Sequence, residues 1–129
     1  MAERNTHQKD GELIPYKMGA VKIEAGNIVG LVAGLAQHAA DTAGVKVVGV
    51  ADETVDNTGG SAGDKTINVR RKKAFKLANS ATNALLQDDV GDNCYVEDSV
   101  TVSDNGATND IVAGELLGLE SDGVWVAIG

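Results

Sequence analysis

The sequence predicts an all-β fold, a small β-sandwich or β-barrel with an extended N-terminal arm and at most one or two short helical turns. Three observations predict it. Short β-branched or alternating apolar stretches recur along most of the chain, each bounded by Gly, Asn, Asp or Ser. Glycine occurs 16 times and proline once, a balance that suits turns and bulges over long helices. No stretch carries the amphipathic 3.6-residue period that crossover helices of an α/β fold require.

Residues 1–17 are polar or lack periodic apolar character and read as an extended arm, with 18–129 as a single β domain. Val21–Ala25 alternates apolar and charged residues. After Gly26-Asn27, Ile28–Val32 is more apolar, so the two read as strands joined by a tight turn. Ala33–Gly44 is alanine-rich, with Gly34 weakening a helix, and is expected to be a loop crossing the sheet. Val45–Ala51 reads as a buried strand in which Gly49 marks a bulge or a close backbone approach. Asp52–Lys65 reads as a long exposed loop. Thr66–Arg70 and Ala74–Leu77 form a second expected hairpin with Arg71-Lys72-Lys73 at its tip. Ser80–Asp89 has enough Ala and Leu for one or two helical turns, with Ser80 as cap and Gly91 as terminator. Asn93–Glu97 and Val100–Val102 flank an acidic turn, and Ile111–Leu119 leads into the last strand.

That last strand follows Asp122-Gly123, a dipeptide that favours hairpin turns because it accepts positive φ. Val124, Val126 and Ile128 share one face, and Trp125 and Ala127 the other. As the only tryptophan, Trp125 is expected to be a core or subunit-interface anchor.

Aromatics make up 3% of residues, so the core must be aliphatic. A formal charge of -8 argues against nucleic acid as a partner, because phosphate affinity comes from clustered Lys and Arg. No apolar run approaches the roughly 18 residues of a membrane span, and the polar N-terminus lacks the apolar centre of a secretory signal. One cysteine, Cys94, permits no intramolecular disulfide.

Chemical motifs are sparse. Gly59–Thr66 echoes a phosphate-binding loop, but Asp64 stands before Lys65 and a strand pattern follows where a helix is needed. The acids Asp52, Glu53 and Asp56, and Asp88, Asp89 and Asp92, do not match Ca²⁺-loop spacing and read as solvated turns. His7 and His38 fall in the arm and the alanine-rich loop, and neither placement suggests a rigid site for a nucleophile and base. Cys94 reads as a small buried hydrophobe. Lys17 lacks the methionine pair and turn that a carrier hairpin uses to present a modified lysine. Arg70–Lys73 with Lys76 concentrates basic charge in an acidic chain. Without an aromatic platform it reads as a solvated tip, or as a patch that orients docking on an acidic protein surface.

Three blocks in order, Val47–Asn57, Val69-Arg70-Arg71 with Ala74–Leu77, and Asp89-Val90-Gly91 with Cys94–Asp98, Thr101-Val102 and Gly123–Val126, resemble the small head decoration (cement) proteins of tailed bacteriophages. The resemblance covers roughly residues 18–129. It implies a virion structural protein on the capsid exterior, assembled in the host cytoplasm, without enzyme activity or cofactor. Its implied partners are the major capsid protein and further copies of itself, a trimer favoured over a dimer. Nucleic acid and membrane are not among them. The contact residues this implies are Arg4, His7, Lys9, Ile14 and Tyr16 in the arm, Arg70, Arg71, Lys72 and Lys73 at the basic tip, and Trp125. The rival expectation is a particle-displayed carbohydrate- or cell-surface-binding module.

Overall fold

The computed structural model describes residues 11–129, which form twelve strands and a single 3-10 turn, Gln87–Asp89. The chain is all-β, as its patterning predicts. It combines a closed barrel with a curled sheet.

The barrel takes the second half of the chain. Strands β8 (Lys73–Asn79), β9 (Asn93–Val96), β10 (Thr101–Ser103), β11 (Val112–Glu120) and β12 (Gly123–Ile128) close in the order β10-β8-β12-β11-β9. All neighbours are antiparallel except β10 and β8, which run parallel. Closure leaves no free edge. Period-2 alternation sends Phe75, Leu77, Val124, Val126 and Ile128 inward, where they join Leu85, Cys94, Val96, Val102 and Leu116 in one core. Burial pushes the Cys94 thiol up to about 11, which keeps it a thiol and not a nucleophile.

The five-stranded sheet is antiparallel, in the order β1 (Leu13–Lys17), β7 (Thr66–Arg70), β5 (Lys46–Ala51), β3 (Ile28–Val32), β4 (Leu35–His38). It curls until its outer strands approach at the Met18–Ala36 bridge. Met18, Val29, Ala36, Ala51, Ile67 and Val69 fill its concave side, capped by Ile23 and Val55 of the ribbon β2 (Lys22–Ile23) and β6 (Val55–Asp56). Ile28, Ala39 and Val50 face the other way and belong to the barrel core. Strands β3 and β5 are therefore buried on both faces, which explains their continuous apolar runs.

Several expectations are corrected. Residues 13–17, read as the end of an arm, pair along β7 as a sheet strand. Its register places Pro15 opposite Asn68, and β1 lies at the end of the strand order, where a proline costs no ladder hydrogen bond. The Val21–Ala25 stretch supplies β2, which pairs with β6 and not with β3. The alanine-rich loop contains a strand, β4, which forms a hairpin with β3 through Ala33-Gly34. Both turn residues have positive φ, 51° and 81°, the conformation that matches strand twist and is usually supplied by Asn-Gly. Arg71-Lys72 is not a hairpin tip. It carries the chain from β7 in the sheet to β8 in the barrel.

The closing hairpin β11–β12 forms, with Ser121 and Asp122 as its turn. Gly123 does not adopt positive φ there. Its need is space, since a Cβ would stand 2.8 Å from the Leu77 carbonyl oxygen. Gly49 meets the close approach expected of it, because a Cβ would stand 2.1 Å from the Arg70 carbonyl oxygen. Ser80 does not cap a helix: its Oγ accepts from the Asn83 amide at 3.0 Å in a local turn, and the one 3-10 turn, Gln87–Asp89, is capped at Leu86.

Candidate functional site

The β7–β8 crossover gathers the basic residues at the seam between sheet and barrel. Lys72 sits at φ 58°, and its amide donates to the Ile128 carbonyl at 2.7 Å. The Arg71 amide donates to the Glu12 carbonyl at 2.7 Å. These two bonds fix the crossover between the end of β12 and the start of β1.

Its side chains divide into paired and unpaired cations. Arg70 meets Asp52 at 3.3 Å and lies over the Phe75 ring, 5.7 Å from its centroid. Lys73 meets Glu12 at 3.0 Å. Arg71 spends its Nε–H on the Val48 carbonyl, and among the described residues neither Arg71 nor Lys72 forms an ion pair. Two open grooves flank them. One, of about 380 Å³, is lined by Lys72, Lys73, Ala74, Ala127, Ile128 and Gly129. The other, of about 270 Å³, is lined by Glu12, Leu13, Asp52, Arg70 and Lys73. Leu13 is 49% exposed at its rim.

The rung alternation on β8 and β12 extends this surface. Ala74–Ala127 and Lys76–Trp125 both face outward, while Phe75–Val126 between them faces the core. Trp125 is thus 37% exposed on the barrel exterior, and the expectation of a core anchor is corrected. On the same face Lys76 Nζ bridges Glu120 at 2.8 Å and Asp122 at 2.6 Å. The Trp125 side chain adds a further, smaller lowering influence on the Glu120 carboxyl. Hydrogen bonding to Lys76 holds both carboxyls below, and the ammonium above, their ordinary ranges.

Of the expected contact residues, the structure brings Arg70, Arg71, Lys72 and Lys73 together and places Trp125 two rungs from Ala74, on the same exterior. Ile14 and Tyr16 are half-buried in β1, and Tyr16 packs against the sheet core. Arg4, His7 and Lys9 lie outside the described residues. Glu120, Asp122 and Leu117 are not among the expected contact residues, and Lys76 is expected only as part of the basic cluster. Glu120 stands just before the turn that precedes Trp125 and Asp122 lies in it, but only the β8–β12 register brings Lys76 beside them.

The acidic turns are explained locally. Asp56 accepts from the Thr58 hydroxyl at 2.6 Å and its amide at 3.0 Å, and Asp89 accepts from the Leu86 amide at 2.7 Å. Among the described residues no group of three or more His, Cys, Asp or Glu could hold a metal ion, and no helix is long and apolar enough to cross a membrane. Comparison with protein-family models, curated proteins and solved structures finds no match.

Proposed function

We propose that the protein decorates the exterior of a viral capsid, binding the major capsid protein lattice as a homo-oligomer and stabilising the head without catalysing a reaction. The observation that carries the reading is the meeting of residues 11–13, the basic crossover and the flanking grooves on one surface. Gly11 stands against Lys72, with a Cβ there falling 3.1 Å from Nζ. Gly11, to which residues 1–10 are joined, therefore lies beside Lys72, which forms no ion pair among the described residues. A segment and a patch that share an origin can engage one partner together, the first raising the effective concentration of the second. In a chain of net charge -8, a local basic patch orients the molecule on an acidic protein surface while the remainder repels polyanions. The resemblance to phage decoration proteins supplies the partner.

The test is co-sedimentation with undecorated capsids. The full chain should pellet with them, and deletion of residues 1–10 should leave the circular dichroism unchanged while weakening attachment. Absence of the full chain from the pellet would sink the proposal. Glycan-array binding without capsid binding would favour the rival module.

A further inference from the structure

We infer that the exterior of β8, β12 and β11 around Trp125 is a binding platform for a neutral pyranose sugar. The inference does not rest on capsid docking, although Ala74 and Ala127 at one end of the platform also line the groove beside Lys72.

The first observation is the floor. Gly118 stands across from Trp125 on β11 and Lys76 on β8. Ala127 follows two residues along β12, and Ala74 and Ala78 flank Lys76 on β8. A Cβ placed on Gly118 would meet nothing within 4 Å, so the space beside the indole on that side is open. Leu117, the bulged residue between Leu116 and Gly118, is 46% exposed next to it. A β-bulge re-aims a side chain without breaking the hairpin. The only tryptophan of the chain thus has Gly118 on one side and Lys76 on the other, with Ala127 two residues along its own strand.

The second observation is the polar rim. Lys76 holds Glu120 and Asp122 within 2.8 Å of one ammonium, and Lys76 is itself the cross-strand partner of Trp125. Two carboxylates pinned by a shared cation beside an aromatic ring present fixed acceptors at the edge of an apolar face. A pyranose matches this pattern, with an apolar C–H face for the indole and vicinal hydroxyls that donate to carboxylates.

Size and charge choose among ligands. Three strands about 4.8 Å apart, over about four residues each, give a floor of roughly 10 by 13 Å. That accommodates one or two sugar rings and falls far short of the about 800 Å² per partner of a standard protein interface. Two carboxylates against one ammonium leave a net negative rim, which selects neutral sugars over uronic or sialic acids.

The sole tryptophan makes the test direct. Titration with methyl β-D-glucopyranoside and methyl β-D-galactopyranoside should shift Trp125 emission saturably with at least one of them. A ligand of about 13 non-hydrogen atoms at ordinary efficiency gives a dissociation constant on the order of 1–10 mM. Glucuronic acid should bind at least 5-fold more weakly. Glu120→Ala and Asp122→Ala should each weaken binding several-fold, and Lys22→Glu, exposed on the β2–β6 ribbon, should leave it unchanged. For Trp125→Ala, amide chemical-shift perturbation replaces fluorescence, and perturbations at Gly118 and Leu117 should vanish while the rest of the spectrum stays folded. Absence of a saturable shift up to about tenfold above that range, equal shifts with glucuronic acid, or unchanged binding by Glu120→Ala and Asp122→Ala would each overturn the assignment. A Trp125 shift on capsids and with neither sugar would overturn it as well, and would assign the face to protein contact.

Discussion

Trp125 and Phe75 stand on the same pair of strands and face opposite ways, so a single residue step separates two energetic roles. Phe75 is 9% exposed and in the barrel core, and Phe75→Ala should cost about 3–5 kcal/mol. Trp125→Ala forfeits only cross-strand contacts and should cost about 1 kcal/mol or less. Urea denaturation of the two variants checks the contrast, and equal losses would contradict it. Asp41 is a second single-residue device. Its carboxylate accepts from the Thr108 amide at 3.1 Å and the Asn109 amide at 3.0 Å, while Asn109 Nδ2 donates back to its carbonyl. The loop so held contains Ala107 and Asp110 at φ 52° and 51°, a conformation unfavourable to side chains other than glycine. The Thr108 amide bond is the largest influence on the Asp41 carboxyl and holds it below the usual range. A carboxyl lowered on folding stabilises above its unfolded value and loses that contribution as pH falls through the folded one. Hydrogen exchange at Thr108 and Asn109, corrected for intrinsic rates, should accelerate as pH drops below about 4. In Asp41→Asn, exchange should already be fast at neutral pH and lose that dependence.

At the scale of elements, strands announced themselves wherever β-branched alternation was present, and pairing did not. Val124-Trp125-Val126-Ala127-Ile128 specified both its existence and its inward face, because alternation and the hairpin partner are adjacent in sequence. Leu35–His38 was hidden because alanine, glutamine and histidine carry little β propensity and because Ala33-Gly34 lacks the Asn-Gly signature of its turn. Tertiary pairing to β3 overrides the local preference there. This turn carries its own prediction. Ala33 at φ 51° pays a left-handed penalty that glycine avoids, so Ala33→Gly should stabilise the protein by about 0.5–1 kcal/mol in urea melts. A loss of stability would mean that the turn relaxes without the side chain. The basic cluster was legible as composition from Arg70–Lys73, but its role as a crossover was not, since only long-range pairing shows that β7 and β8 belong to different sheets.

At the scale of the molecule, the two cores divide the labour. The concave side of the curled sheet is closed by the β2–β6 ribbon, and its convex side helps close the barrel through Ile28, Ala39 and Val50. The halves are also tied by polar bonds, the Ile28 amide to the Ser99 carbonyl at 2.7 Å and the Ser99 hydroxyl to Asn27 at 2.7 Å. No local pattern in the sequence foretold a barrel over a sandwich, because the deciding contacts are non-local, the parallel pairing of β8 with β10 and the still longer-range pairing of β8 with β12. Those contacts also govern time. The β11–β12 hairpin can form from neighbours in sequence, whereas β8 meets β10 and β12 only by closing long loops, whose entropy is spent before the pairing returns anything. Barrel closure should therefore be the late step of folding. Stopped-flow refolding is expected in the millisecond-to-second range. Val102→Ala in β10 should chiefly speed unfolding, whereas Val126→Ala in the hairpin should slow refolding.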